Sequence, residues 1–216
     1  MTLLEQTQKL TEEFMADLPD EARNTVEQAF AQIMAAGFGA DALREGDQAA
    51  EFCLPNVRGG ETRLSELLAQ GPLVLSFYRG GWCPFCNLEF KALHDVLPQI
   101  RGLGAKLVGI SPELPDNSLS SVEKHQIQFE VLSDVGNKVA RQYGVVMDVP
   151  DIMRPLYLQW GLDVPAVNGD DSWELPIPAT YVINTDGRIV SAYINPNYTE
   201  RMEPADIIAA LQTRSD

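Results

Sequence analysis

Two cysteines three positions apart, Cys83 and Cys86, sit in the stretch YRGGWCPFC from Tyr78 to Cys86. On a helix that spacing brings both thiols to one side of a single turn, close enough to close a small disulfide ring. The chemistry requires one sulfur to be held as a thiolate, and the neighbouring residues give a reason for it. Leu73 to Tyr78 is a nearly unbroken apolar and aromatic run, the pattern of a strand buried on both faces. Gly80 and Gly81 let the backbone turn sharply, and Pro84 suits the first turn of a helix, where a missing N–H costs nothing. Cys86, Phe90, Leu93, Leu97 and Ile100 then repeat at close to helical spacing. Cys83 is therefore expected at a helix N-terminus, where unpaired N–H groups and the positive dipole end draw its pKa below about 8.5.

Two other uses of a CxxC pair compete with this one. A zinc site needs a second ligand pair, and only Cys53, His94 and His125 remain, none at ligand spacing. Two cysteines packed in a core would not call for the flanking Gly-Gly, Trp82 and Pro84. Thiol redox chemistry is the reading that uses all of these residues.

The elements that must position the pair are legible on either side. Residues 1–44 form an N-terminal helical extension with two helices expected as an antiparallel pair, and 45–216 form the main domain. Val26, Phe30, Ile33 and Met34 make an apolar stripe on the second helix after an Asp20 cap, expected to pack on the same chain. Residues 46–64 read as a Gly-Gly hairpin carrying Cys53, and Ser65 is placed to cap a brief helix. A cysteine between Phe52 and Leu54 is most often a small buried hydrophobe. Lys106 to Ile110 is the next buried strand, so strand, redox helix and strand make a parallel βαβ unit. Helices near 119–126 and 136–143 flank a strand at 129–133, and 150–178 reads as an irregular insertion with one helix. Ala179 to Asn184 and Arg188 to Ile194 form a hairpin around Asp186-Gly187, and a helix at 204–213 closes the chain. The fold class is α/β, a central mixed sheet with helices on both faces.

Composition narrows the partners. The 216 residues carry 16 Lys and Arg against 31 Asp and Glu, a formal charge of −15. That argues against nucleic acid and against an anionic membrane, both of which need a cationic face. MTLLEQTQKLTEEF lacks the basic-then-apolar order of a signal peptide, and no apolar run approaches the roughly 18 residues of a membrane span. With few cysteines, and an odd number, a reducing cytoplasmic setting is expected.

FYRGGWCPFC, followed by ISP, VLSDVGN and SWELPIPATYVINTDG, resembles the peroxiredoxin-like branch of the alkyl hydroperoxide reductase and thiol-specific antioxidant family over residues 45–213. The resemblance implies a thioredoxin-like, peroxiredoxin-type fold and an antioxidant thiol peroxidase. Its Pro-x-x-x-Thr-x-x-Cys motif falls on Arg79, Cys83 and Cys86, and only Cys86 matches. Where peroxiredoxins carry an arginine before the late strand, this chain has Pro178-Ala179-Thr180, and Arg79 could supply the guanidinium instead. A thioredoxin overlay puts Ile177-Pro178 on the cis-proline loop and Ser76 where a buried Asp would stand. Cys83 and Cys86 are thus the catalytic candidates, with Arg79, Trp82, Pro178 and Thr180 around the substrate. In the preferred scheme Cys86 attacks a hydroperoxide, Cys83 closes the disulfide, and thioredoxin or a low-molecular-weight thiol resets the pair. No metal or other cofactor is expected, because thiolate attack on an O–O bond needs none. A disulfide reductase with Cys83 first, and a non-enzymatic redox-sensing module, are the alternatives. A homodimer is left open.

Overall fold

A computed structural model describes residues 1–124 and 126–213 of the chain. It begins with helices α1 (Leu3–Asp17) and α2 (Asp20–Ala35), followed by the hairpin β1 (Cys53–Pro55) and β2 (Glu61–Arg63). Next come α3 (Leu64–Leu68), β3 (Leu73–Phe77), α4 (Pro84–Gly102), β4 (Lys106–Ser111), α5 (Pro115–Lys124), β5 (Glu130–Ser133) and α6 (Lys138–Gln142). Then β6 (Val146–Asp148), a 3-10 turn (Asp151–Met153), α7 (Arg154–Gln159), α8 (Val164–Asn168), β7 (Glu174–Pro176), β8 (Ala179–Ile183), β9 (Ile189–Ile194) and α9 (Pro204–Thr213) complete it.

The main sheet runs β5-β4-β3-β8-β9, with β3, β4 and β5 parallel and β8 and β9 antiparallel. This is the expected mixed sheet, with the expected parallel unit around α4. β3 lies at its centre and is buried throughout, so its residues alternate between two cores. Leu73, Leu75 and Phe77 face Tyr143, Tyr181 and the residues of α3 and α6. Val74 faces Phe90, Leu93, Leu97 and Ile100 of α4 and Ile207 and Leu211 of α9. A strand covered by helices on both sides has no polar face, which is why its sequence reads as an apolar run.

α4 sits directly on the sheet because β4 carries Gly109 beneath it. A Cβ there would lie 2.8 Å from Phe90 Cζ. Gly109→Ala is therefore expected to cost about 1–3 kcal/mol through overpacking. The urea midpoint measures it, and an unchanged midpoint would show that Phe90 yields freely.

Several local expectations need correction. α1 and α2 do not form an antiparallel pair: α1 packs on α4, and α2 packs on the 3-10 turn. Glu203, just ahead of α9, accepts the Leu3 and Leu4 N–H groups at 3.2 and 2.7 Å, tying the start of α1 to the segment that leads into α9. Val26 and Ile33 are buried as the stripe implied, but Met34 is exposed. Asp20 lies inside the first turn of α2, and the cap position is held by Pro19 without a side-chain bond. Likewise Arg63, not Ser65, precedes α3. Cys53 is exposed and donates to Glu61, because the hairpin alternates and it is Leu54 that turns inward. Residues 150–178 hold more order than expected, with two short helices and β7, which pairs with the preceding β6; strands of three residues are too brief to show alternation. At the β8–β9 turn, Asn184 N–H bonds Arg188 O and Gly187 has φ +82°, so three residues rather than two make the loop.

Candidate active site

Cys83 is the cap residue of α4, with Pro84 immediately inside the helix. The turn ahead of it depends on Gly80, at φ +146°, where a Cβ would sit 2.4 Å from Trp82 Nε1. The indole folds back over that bare Cα. Gly81 N–H donates to Glu113 Oε2 at 2.9 Å, and Asn87 Nδ2 donates to Gly81 O at 3.0 Å, so the turn is held from both sides. Glu113 is itself buried under the turn, and burial raises its pKa against the Gly81 and Ser118 bonds that lower it.

Both sulfurs are free thiols and only 1% exposed, yet their surroundings differ. Burial disfavours a charge on Cys83, but a hydrogen bond from the Cys86 thiol and the positive charges of Arg79 and Arg201 outweigh it, bringing Cys83 down to about 6. Cys86 moves the other way, well above the ordinary thiol value, because it is buried, donates to Cys83 and faces that sulfur's negative charge. Cys83 is part of the wall of a cleft of about 320 Å³, whereas Cys86 lies behind it in the core.

Two buried guanidinium groups flank the pair. Arg79 is 3% exposed, and its Nη2 donates to Tyr157 Oη of α7 at 2.6 Å. Its Cζ lies 4.2 Å from the Tyr198 ring centroid and 5.2 Å from that of Trp82. Its Nε has no hydrogen-bond partner among the described residues. Arg201, from the segment between β9 and α9, donates through Nη2 to Cys86 Sγ at 3.2 Å and through Nε to Glu89 Oε2 at 2.6 Å. Glu89, one helical turn beyond Cys86, also accepts from Ser76 Oγ at 3.3 Å and Thr180 Oγ1 at 3.2 Å on its other oxygen. Ser76 and Thr180 are register partners on β3 and β8, so one carboxylate ties two strands, a helix and Arg201 together. Burial raises the Glu89 pKa and Arg201 opposes it.

Measured against the sequence, Cys83, Cys86, Arg79 and Trp82 converge. Arg79 is buried beside the pair, as a guanidinium acting on the thiols requires. Thr180 stands one layer back and reaches Cys86 only through Glu89 and Arg201. Pro178 is buried between β7 and β8 outside the cleft, and no peptide bond among the described residues is cis, so the Ile177-Pro178 overlay fails. Ile177 N–H bonds Val145 O, which extends the β6–β7 pairing by one residue up to Pro178 at the start of β8. Tyr78 packs on Phe90 at 4.4 Å on the far side of the turn. His94 borders a separate cavity with Tyr78 and Phe90, and His125 lies outside the described residues. Among the described residues no group of three or more His, Cys, Asp and Glu side chains could hold a metal ion, and no helix is long and apolar enough to cross a membrane.

Sequence reasoning missed Glu89, Arg201, Glu113, Tyr157 and Tyr198. Glu89 was findable, since it falls on the same face of α4 as Cys86, Phe90 and Leu93, where a charge must have a partner. Where the thioredoxin overlay has a buried Asp on the strand, this chain has Ser76, and the buried acid it bonds is Glu89 on the helix. Arg201, 115 positions from Cys86, carries no local signal.

The AhpC/TSA family profile matches residues 45–192. A Mycobacterium tuberculosis protein named as a peroxiredoxin is 35% identical over 103 residues, 48% of this chain and 67% of the relative. Peroxiredoxin Bcp of Escherichia coli K12 is 32% identical over 103 residues, 48% of this chain and 65% of the relative. The aligned segments thus span about two thirds of these relatives. The crystal structure of peroxidoxin BcpB from M. tuberculosis superposes with TM-score 0.63 at 26% identity, covering 80% of this chain and 99% of that one. Peroxiredoxin Q of Xanthomonas campestris shares the fold, with TM-score 0.59 at 21% identity over 80% of this chain and 97% of that one.

Proposed function

Because the chain belongs to the AhpC/TSA family, we propose that it is a thiol peroxidase that reduces hydroperoxides through a Cys83–Cys86 dithiol and disulfide cycle, with Cys83 attacking first. The observation that carries the order is that Cys83 alone of the two sulfurs borders the cleft, while Cys86 donates a hydrogen bond to it from behind. The Cys83 thiolate attacks one peroxide oxygen, the O–O bond breaks, and the other oxygen leaves as alcohol after taking a proton. Arg79, beside the sulfur with an unpaired N–H, supplies positive charge to the departing oxygen.

The resulting Cys83 sulfenic acid is neutral, which removes two of the causes that keep Cys86 protonated: the bond to a thiolate and the repulsion from its charge. Arg201, already on Cys86 Sγ, then favours its thiolate. Cys86 displaces the oxygen from Cys83 as water and the disulfide forms. Attack on the peroxide thus readies the resolving thiol. A thioredoxin-type protein or a small thiol reduces the disulfide, in keeping with a reducing, cytoplasmic setting. Residues 1–44 are read as an extension on a catalytic unit at 45–216, and a homodimer is compatible with this scheme.

The reverse order, with Cys86 attacking, is favoured by the Arg201 contact to Cys86. A sulfenic-acid trap read by mass spectrometry after one equivalent of hydroperoxide separates the two. Cys86→Ser is expected to be trapped on Cys83, and Cys83→Ser to remain unlabelled. Label on Cys86 in Cys83→Ser, with none on Cys83 in the other variant, reverses the assignment. Peroxide consumption no faster than by free cysteine would leave disulfide exchange as the activity.

A further inference from the structure

The cleft over Cys83 is far larger than hydrogen peroxide requires. Two oxygen atoms need on the order of two water volumes, about 60 Å³, against the roughly 320 Å³ available. Its polar groups cluster at the floor, where Arg79 and Cys83 meet the Tyr157 hydroxyl. From there outward an aromatic wall runs to the mouth. Trp82 and Tyr157 are in contact at 6.1 Å between centroids, Tyr157 and Trp160 at 6.1 Å, and Trp160 and Phe14 edge-to-face at 5.6 Å. Phe14 and Trp160 are 37% and 41% exposed, two of the few large apolar side chains left open to solvent. Leu10 and Phe14 of α1 and Val26 of α2 complete the opposite side. These helices lie outside the family-matched residues 45–192.

We infer that the N-terminal helices are part of the substrate site, and that Phe14 with Trp160 forms an aromatic gate selecting hydroperoxides that carry a bulky hydrocarbon group over hydrogen peroxide. The inference rests on the peroxidase reading and adds its substrate class. The peroxide head meets the thiolate and Arg79 at the floor, while the hydrocarbon replaces water along the aromatic wall. Burial of that group strengthens binding roughly in proportion to its area. The gate joins one side chain from α1 to one that follows α7, so neither segment forms it alone.

The test compares second-order rate constants of the reduced protein with cumene hydroperoxide and with hydrogen peroxide, by stopped flow, in wild type, Phe14→Ala, Trp160→Ala and Trp160→Phe. Wild type is expected to prefer cumene hydroperoxide, and each alanine variant to lower the cumene-to-hydrogen-peroxide ratio about tenfold, the scale of a lost apolar contact. Trp160→Phe is expected to keep most of the preference. Because both side chains stand at the rim, thermal melting should stay close to wild type. A wild type that reduces both peroxides without preference overturns the substrate class and leaves the peroxidase reading standing. An unchanged ratio in both alanine variants overturns the gate. Reaction with neither peroxide overturns the peroxidase reading and this inference with it.

Discussion

Arg201→Met is expected to cost about 3–5 kcal/mol of stability, the scale of breaking a buried ion pair by removing one partner. Arg201 is 5% exposed and Glu89 1%. Besides Cys86 and Glu89, Arg201 Nη1 donates to the carbonyls of Tyr198 and Glu200, so four of the five guanidinium N–H groups are used. Methionine fills similar volume but leaves the Glu89 charge with only two hydroxyl donors. Burial already raises the Glu89 pKa, and losing Arg201 raises it further. A carboxyl whose folded-state pKa lies above its unfolded value adds stability that is present at acid pH and lost as pH rises through the folded value. The variant should therefore be most impaired at neutral and alkaline pH and recover toward wild type on acidification. Urea midpoints at mildly acid and mildly alkaline pH measure this. The pair Glu89→Gln with Arg201→Met should regain much of the loss, since no charge then stays buried alone. Equal losses at both pH values would show that the arginine contributes packing rather than charge.

The second large effect concerns reactivity. Wild-type alkylation or peroxide reaction is expected to fall as pH drops through about 6. At neutral pH a thiol with that value is about nine-tenths thiolate, whereas an ordinary one near 8.5 is only a few per cent ionised. Arg79→Met removes one of the charges that lower Cys83, so its inflection should move upward and its rate at pH 7 should fall by up to about thirtyfold, the ratio of those two populations. Folding linkage has a matching sign. Because the folded value lies below the unfolded one, ionised Cys83 adds stability above about 8.5 that is lost as pH falls through about 6. Cys86, raised on folding, acts in the opposite sense. An inflection in Arg79→Met at the wild-type pH would assign the thiolate to the Cys86 bond and the Arg201 charge without Arg79.

The two effects separate the guanidinium groups by task. Arg79, on the cleft side, acts on the attacking sulfur and on the substrate. Arg201, on the core side, holds the resolving sulfur and is itself held by Glu89, which in turn accepts from Ser76 and Thr180. The ring faces of Tyr198 and Trp82 complete the Arg79 site, where no carboxylate pairs with it among the described residues.

The sequence by itself determined what depends on neighbours along the chain. The apolar run of β3, the glycines of the turn, Pro84 and the spacing of α4 settle a helix that starts beside Cys83, because turn geometry, missing N–H groups and side-chain periodicity are local properties. The parallel β3–α4–β4 unit follows from the same patterns. Only the tertiary structure decided which charges meet the sulfurs. Arg201, Tyr157 and Tyr198 come from distant segments, and a side chain's identity does not encode which buried group it will face. It decided likewise that the buried acid is Glu89 on the helix, that Pro178 stays out of the cleft, and that α1 packs across α4 rather than on α2. Those outcomes turn on how layers dock, where small differences in buried area and in satisfying buried polar groups choose between arrangements that the local pattern allows equally.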